Sequence, residues 1–551
     1  MAAQTSGWFE SRRGRAILEN LTAYLFLAPA GVIIFVFGLF PVLFAFFVSL
    51  HRWRRFPGEY RGLTYYIQAL GDFAYVLFFW LALGLIVAGL YTLWRIWRES
   101  EGERQGLLYL LPGAAMTAGL FAFINWLFIL LPVVLDVPQR LRGQAATQGL
   151  FVSEFMASFQ FPEVLAANDI MLLALALALV STVIFLRLVR TERSGYYLLL
   201  ALAAFTALVC GGLLMQLTLD HIQSAIAAAQ EAGESLPIWS QIVLIGAGAG
   251  LLGAALWLWQ RGVSDYDDRR FVLKGLVVIL AVIGAYLLIR ELPVALSGAH
   301  RDLKQGFSVT VMYSLFSIPL QLVLGLGLAV LLFQNIRAKS FFRVVYFLPY
   351  ITPFVATSAV FALLFSHNRN SPINQLMTAL NLPVQNWLLE PRGVFQLIFC
   401  PDIPPFLAGP GLALVVSIIY NVWVYAGYST VIFLAGLGNI PRELYEAARI
   451  DGASAWHQFR FVTLPLLSPT TFFLILIATI GTFQAFTQIF LMRRPGAYRA
   501  VDTVNIYIYE EIRATNPDYA YGTAMAFVLF GVILVLTLIQ NRVIGRRVFY
   551  G

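Results

Sequence analysis

Twelve apolar runs, each long enough to cross a bilayer, decide what this chain can become. They lie at roughly 21–50, 73–94, 107–135, 170–186, 196–219, 238–260, 271–289, 309–334, 344–366, 411–437, 466–491 and 521–541. A spanning helix needs about 17–25 apolar residues, and hydrocarbon tolerates no unpaired backbone, so each run is predicted to be a helix. The runs are too long for barrel strands, and no short alternating pattern repeats. Sixty per cent of the 551 residues are hydrophobic and 12 % are charged, with mean hydropathy +0.77. No soluble chain of this size has the interior to hide that surface. A cytosolic enzyme, a nucleic-acid-binding domain and a disordered chain are therefore excluded. The predicted class is an all-α polytopic membrane protein of about twelve transmembrane helices.

Charge orients these spans. With the N-terminus inside, the inner segments carry 22 Lys and Arg in 102 residues, and the outer segments carry 15 in 166. The density differs more than twofold in favour of N and C termini in the cytoplasm. One outer segment runs against the trend, with Arg52, Arg54, Arg55 and Arg61. Arg12, Arg13 and Arg15 precede the first run, which is too long for a signal-peptide core and lacks a cleavage site, so it reads as a retained span. The net charge of +8 is an expression of this cytoplasmic bias. Two cysteines, Cys210 and Cys400, cannot build a disulfide framework.

Several chemistries are missing. No ionisable side chain sits near the middle of a predicted span, which argues against a proton relay. Sodium coupling through backbone carbonyls stays open. There is no phosphate-binding loop, no metal-ligand spacing and no nucleophile elbow, so no catalytic and no metal-ligating residue is assigned. Asp267 and Asp268, followed by Arg269 and Arg270, read as a solvated turn, and His221 beside Asp220 reads as an interfacial residue.

The most specific signal is the cytoplasmic loop at 441–465. Pro441 suits a first helical turn, and Arg442 to Ile450 are good helix formers. Asp451 and Gly452 stop that helix, with glycine supplying a left-handed residue. Ser454 caps a second helix running to Leu464, and Pro465 opens the next span. Leu444, Ala447 and Ala448 present small or apolar side chains for close packing.

The loop resembles the EAA loop of ABC importer permeases. Glu446, Ala447 and Ala448 are followed at fixed spacing by Gly452 and then by Val462-Thr-Leu464-Pro465, with valine where isoleucine is usual. Ser317-Ile-Pro-Leu320, Phe347-Leu-Pro-Tyr-Ile-Thr-Pro353 and the stretch from Asn374 to Trp387 resemble permeases of the maltose and glycerol-phosphate type. So does Tyr60-Arg-Gly-Leu-Thr-Tyr-Tyr66, with Tyr65 where asparagine is usual. The resemblance covers 1–72 and 301–551. Residues 1–72 read as a cytoplasmic tail, first transmembrane helix and external segment. Residues 301–551 read as the permease core, and 73–300 as an inserted membrane region of about six helices.

The resemblance implies a type I importer permease core in a prokaryotic cytoplasmic membrane. It implies a second permease subunit in a heterodimer, two ATPase subunits and an external solute-binding protein. The chain itself would bind no cofactor and hydrolyse no ATP, since ATP and Mg are used by the partner ATPase. The EAA helix would dock on that ATPase through Glu446, Ala447, Ala448 and Gly452, with Leu464 and Pro465 closing the motif. Solute contacts are expected on the flanking spans. Asn421, Val424, Tyr425 and Tyr428 fall at one-turn spacing, and Phe483, Gln484, Thr487 and Gln488 form a second expected face. Amides and tyrosines suit a carbohydrate, by hydrogen bonding and ring stacking. A sodium-coupled secondary transporter, or a membrane protein without a transport role, is the alternative.

Overall fold

The computed structural model describes residues 12–54, 57–99, 104–143, 148–188, 193–233, 236–262, 269–334, 337–399, 402–404 and 407–545. Arg55, Asp267, Asp268 and Cys400 lie outside the described residues. Among those described, ten helices are long and apolar enough to cross a membrane, and counting two sharply bent helix pairs as spans gives twelve. The polytopic all-helical class expected from the apolar runs is what the chain adopts. Its backbone divides into two compact units, one of residues up to Gly298 with Asn516–Ala524, the other of Ala299–Thr515 with residues from Met525 onward.

The first unit opens with α1 (Arg12–Ile34), a π-helical turn over Phe35–Leu39 and α2 (Phe40–Ser49). A hairpin of β1 (His51–Trp53) and β2 (Pro57–Tyr60) follows, then α3 (Thr64–Leu70). Next come α4 (Phe73–Glu99), α5 (Leu110–Leu135), α6 (Val137–Arg140), α7 (Gln148–Ser158), α8 (Pro162–Leu188), α9 (Ser194–Glu231), α10 (Ile238–Gly262) and α11 (Arg269–Ala295). The long helices pair as α4 with α9, α5 with α8 and α10 with α11. Small residues set these distances. A Cβ on Gly211 would sit 2.9 Å from the Ala82 carbonyl, and one on Gly248 would sit 3.1 Å from the Gly284 carbonyl. His221 Nε2 accepts the Leu63 N–H at 3.3 Å, a structural role that fits its reading as an interfacial residue.

The second unit contains α12 (Arg301–Phe333), α13 (Lys339–Ile351), α14 (Phe354–Leu364), α15 (Pro372–Ala379), α16 (Val394–Ile398) and α17 (Leu412–Gly438). The 441–465 loop forms α18 (Arg442–Ile450), α19 (Ala455–Gln458), a π-helical turn over Phe459–Thr463 and α20 (Leu464–Leu466). Then follow α21 (Ser468–Phe483), α22 (Thr487–Met492), α23 (Tyr498–Val501) and α24 (Val504–Arg513). The last helix, α25 (Tyr519–Val543), starts in the first unit and continues in the second.

At the centre of the second unit is α17, with 72 % of its most apolar window buried inside the protein, against 11–28 % for the other single-helix spans. It packs on α12, α13 and α21. Between α14 and α17 the chain forms a folded segment held by Asn374, which is fully buried. Its Nδ2 donates to the carbonyls of Ser366, Asn368 and Gln385, and its Oδ1 accepts from Gln385 N and Trp387 Nε1.

Two predicted spans differ from continuous helices. The 344–366 run is broken between α13 and α14 by 94°. Pro353 disfavours helical geometry at the residue before it, and Thr352 is extended at φ −71 and ψ 139. The 466–491 run starts with a bend of 62° at Leu467, where Pro469 has no N–H for the preceding turn. Pro465 therefore lies inside the last short helix of the loop instead of opening the span. That same run ends at Phe483, not 491, because Gln484–Phe486 leave the helix and Phe486 turns to φ −140.

A Cβ on Gly427 would stand 1.7 Å from the Tyr346 carbonyl oxygen, so α17 and α13 meet backbone to backbone there. Gly427→Ala is expected to cost about 3 kcal/mol or more, because neither helix backbone can yield locally. A melting temperature in detergent unchanged from wild type would contradict this packing.

Candidate functional site

A cavity of about 200 Å³ opens in the second unit between α12, α13, α17 and α21. Gln321, Tyr350, Asn421, Tyr425, Tyr428, Ser429 and Thr482 are among its lining residues, with Leu474, Ile477, Ala478 and Gly481 on α21. No charged side chain lines it among the described residues. Tyr350 stacks on Tyr428 with centroids 4.8 Å apart and meets Tyr425 edge-on at 5.8 Å. The break at Thr352 delivers Tyr350 to this wall.

Of the first predicted face, Asn421, Tyr425 and Tyr428 line the cavity. Val424 does not. It is fully buried at the edge of that face, in a cluster with Phe361, Tyr420 and Met492 against which the cavity-lining Tyr350 and Tyr425 also pack. The second predicted face does not form. Phe483, Gln484, Thr487 and Gln488 fall on either side of the helix break, and none lines the cavity. The break is stable because side chains satisfy what the helix releases. Asn505 Nδ2 donates to the Phe483 carbonyl at 3.1 Å, and Thr503 Oγ1 donates to the Ala485 carbonyl at 3.2 Å. Gln321, Tyr350 and Thr482 were not singled out from sequence. Gln321 carried a usable signal, as an amide in the middle of a predicted span.

The 441–465 loop follows its predicted helix boundary at Arg442–Ile450. Gly452 has φ +79 and nothing near its missing Cβ, so its backbone conformation alone selects glycine. The N–H of Gly452 donates to Arg449 O, and that of Ala453 to Ala448 O. Ser454 Oγ accepts the His457 N–H. Tyr445 pairs with Thr463 at 3.0 Å, tying α18 to the π turn. Glu446 lies with Arg442 and Arg449 on a hollow of about 570 Å³, whereas Ala447 is exposed and Ala448 half-buried. Leu464 is half-buried and Pro465 exposed. Leu444, Ile450, Trp456 and Phe461 leave large apolar side chains uncovered, with Ile450 86 % exposed.

Beyond the helix break, Arg493 reaches Asp502 at 3.2 Å and Glu510 at 2.6 Å. Its guanidinium also lies over the rings of Phe490 and Tyr498. Asp502 is 2 % exposed. Burial pushes its carboxyl up to about 6, against the opposing pull of Arg493.

The profile of the binding-protein-dependent transport system inner membrane component matches residues 321–550. The lactose transport permease LacF of Rhizobium radiobacter is 30 % identical over 239 residues, covering 43 % of this chain and 74 % of that protein. The permease YcjO of Escherichia coli is 31 % identical over 42 % of this chain and 72 % of its own length. The trehalose/maltose permease MalF of Thermococcus litoralis is 28 % identical over 43 % and 73 %. The chain belongs to the carbohydrate-type ABC importer permeases. The permease is thus a multi-pass inner membrane component of type I fold and not an enzyme, with ATP hydrolysed by separate subunits. It works with a solute-binding protein and other subunits of such a system.

Asp502 gives the permease a pH-dependent stability. Its folded pKa lies above the ordinary 3.8, so protonation favours the folded state. That contribution is complete below about pH 4 and is lost as pH rises through about 6. Between pH 4 and pH 7 the loss is about 2 kcal/mol. Asp502→Asn is expected to gain melting temperature relative to wild type as pH rises over that window. A difference independent of pH would show that Asp502 stays ionised throughout.

Proposed function

We propose that the permease forms part of the translocation pathway for an uncharged carbohydrate, with the cavity beside α17 as its contact site. The observation that carries this reading is the lining itself. It combines neutral amides and hydroxyls with stacked tyrosines and no charge. Hydroxyl-rich rings need acceptors, donors and flat apolar faces, whereas an ion would be left uncompensated there. The names of the lactose and trehalose/maltose relatives agree with that substrate class. Asn421, Tyr425 and Tyr428, joined by Tyr350 and Gln321, are the contacts proposed.

In the same reading α18 couples the permease to a separate ATPase. Glu446, Ala447, Ala448, Gly452, Leu464 and Pro465 make up the coupling motif, and ATP and Mg are bound by the ATPase. The uncovered Leu444, Ile450, Trp456 and Phe461 support this, because an apolar patch facing the cytoplasm calls for a partner. A second permease subunit completes the pathway, two ATPase subunits drive it and an external binding protein delivers solute across a prokaryotic cytoplasmic membrane. Residues 73–300 are an insertion with a packing or partner role. The unit boundary at Gly298 and the family match starting at 321 support that division.

Two measurements test these roles in the complex reconstituted with its partners. Tyr428→Ala is expected to raise the KM for solute about tenfold in solute-stimulated ATPase assays. An unchanged KM would remove the cavity from the pathway. Gly452→Pro cannot reach φ +79 and has no N–H for Arg449 O, so ATPase coupling should be abolished while the protein still inserts. Normal stimulated hydrolysis in that variant would overturn the coupling role.

A further inference from the structure

The cavity's hydrogen-bonding direction is fixed from outside it. Gln488 lies on α22, past the break, and its Nε2 donates to the Tyr313 hydroxyl oxygen at 3.3 Å. An amide nitrogen can only donate, so the Tyr313 hydroxyl is left to donate onward. It does so to Asn421 Oδ1 at 3.0 Å. Asn421 Nδ2 then donates to Gln321 Oε1 at 2.9 Å. Gln321 is left with its amide nitrogen at the cavity and no protein acceptor among the described residues. Tyr313 is fully buried and does not line the cavity. A parallel contact reinforces the arrangement, since Ser314 Oγ donates to Thr482 Oγ1, another lining group, at 2.8 Å.

We infer that Tyr313 is a positioning residue that holds Gln321 as a hydrogen-bond donor to the solute, through Asn421, with its direction set by Gln488. This rests on the reading of the cavity as the solute site. It adds a requirement on the substrate: a hydroxyl or ring oxygen must lie at the Gln321 end to accept. It also gives Gln488 a function different from the direct contact expected from sequence. Gln488 acts at the far end of a four-residue chain, and the helix break is what carries it there. The chain starts beside the Gln484–Phe486 break and ends at the cavity, so local geometry at the break sets the donor pattern that solute meets.

The test uses the complex reassembled with its partner subunits in lipid nanodiscs, with whichever of lactose, maltose and trehalose most stimulates the ATPase. Gln321→Ala is expected to raise KM about tenfold, with kcat changing less. Tyr313→Phe keeps the ring and removes the hydroxyl, and should raise KM by a similar factor. Because both act on one donor, the double variant should be no worse than Gln321→Ala alone. Gln488→Leu, a second variant that spares Tyr313, should raise KM about threefold and be equally masked by Gln321→Ala. A KM unmoved by Tyr313→Phe and Gln488→Leu, or multiplying effects in the double variants, would overturn the positioning role while leaving the cavity assigned. A KM unmoved by Gln321→Ala, or no stimulation by any of the three sugars, would overturn the cavity reading and this inference with it.

Discussion

A carbonyl released from a helix inside a membrane must find a donor within the protein. Hydrocarbon offers none, and an orphaned group there costs several kcal/mol. The second unit breaks its helices at Thr352 and at Gln484–Phe486, and the cavity takes a lining residue from the chain beside each break. At the first, the Thr352 N–H and hydroxyl both return to the Leu348 carbonyl, closing the last turn of α13, and Tyr350 is brought to the cavity wall. At the second, Asn505 and Thr503 supply donors from the segment at the start of α24. The second of these stretches is packed in protein, with Phe483 and Ala485 buried, and the same surroundings provide a polar space. The cavity is thus a consequence of where the chain can afford to stop being helical.

Close approach is the second condition. Gly427 meets the Tyr346 carbonyl, and a Cβ on Gly325 would come within 2.7 Å of the Ser429 side chain. These contacts fix α13 and α12 against α17 without large side chains in between. Asn421, Tyr425 and Tyr428 can then share a wall with Gln321 and Tyr350 from the neighbouring helices. Charge is kept at the ends of this arrangement. The Arg493 cluster lies beyond the helix break and the Arg442, Glu446 and Arg449 face lies on the 441–465 loop, while among the described residues the cavity between is lined by none.

What could be read from the sequence follows from the range of the forces involved. The spans, the cytoplasmic helix at Arg442–Ile450 and the left-handed Gly452 are local consequences of hydropathy, helix propensity and backbone sterics, and they were legible. The face carrying Asn421, Tyr425 and Tyr428 was legible because helical periodicity alone aligns it. Val424 was misplaced because periodicity gives a face but not its edge. The Phe483–Gln488 face failed for another reason. Nothing in Thr-Phe-Gln-Ala-Phe forbids a helix, and the break is stabilised by Asn505 and Thr503, about twenty residues onward. Pro353 carried a local signal for the other break that the continuous 344–366 reading did not use, and its angle of 94° depends on how α13 and α14 pack.

The proposed solute wall and the proposed coupling helix are consecutive along the chain. From Asn421, α17 continues without interruption to Gly438, and α18 begins at Arg442. At 1.5 Å per residue that stretch of α17 is about 25 Å of unbroken helix. Tyr445 is bonded to Thr463, so α18 is also fastened to the segment leading into α21, which forms the opposite wall of the cavity. A displacement of α18 therefore has two routes to the cavity, one through each wall. The bend at Leu467 lies on the second route, and the non-helical turn at Asn439–Pro441 lies on the first, outside α17 itself. Movement of α18 would shift α17 lengthwise or as a lever, while α21 can pivot at Leu467. The two walls would then move by different amounts, which is the relative motion needed to open or close a space between them.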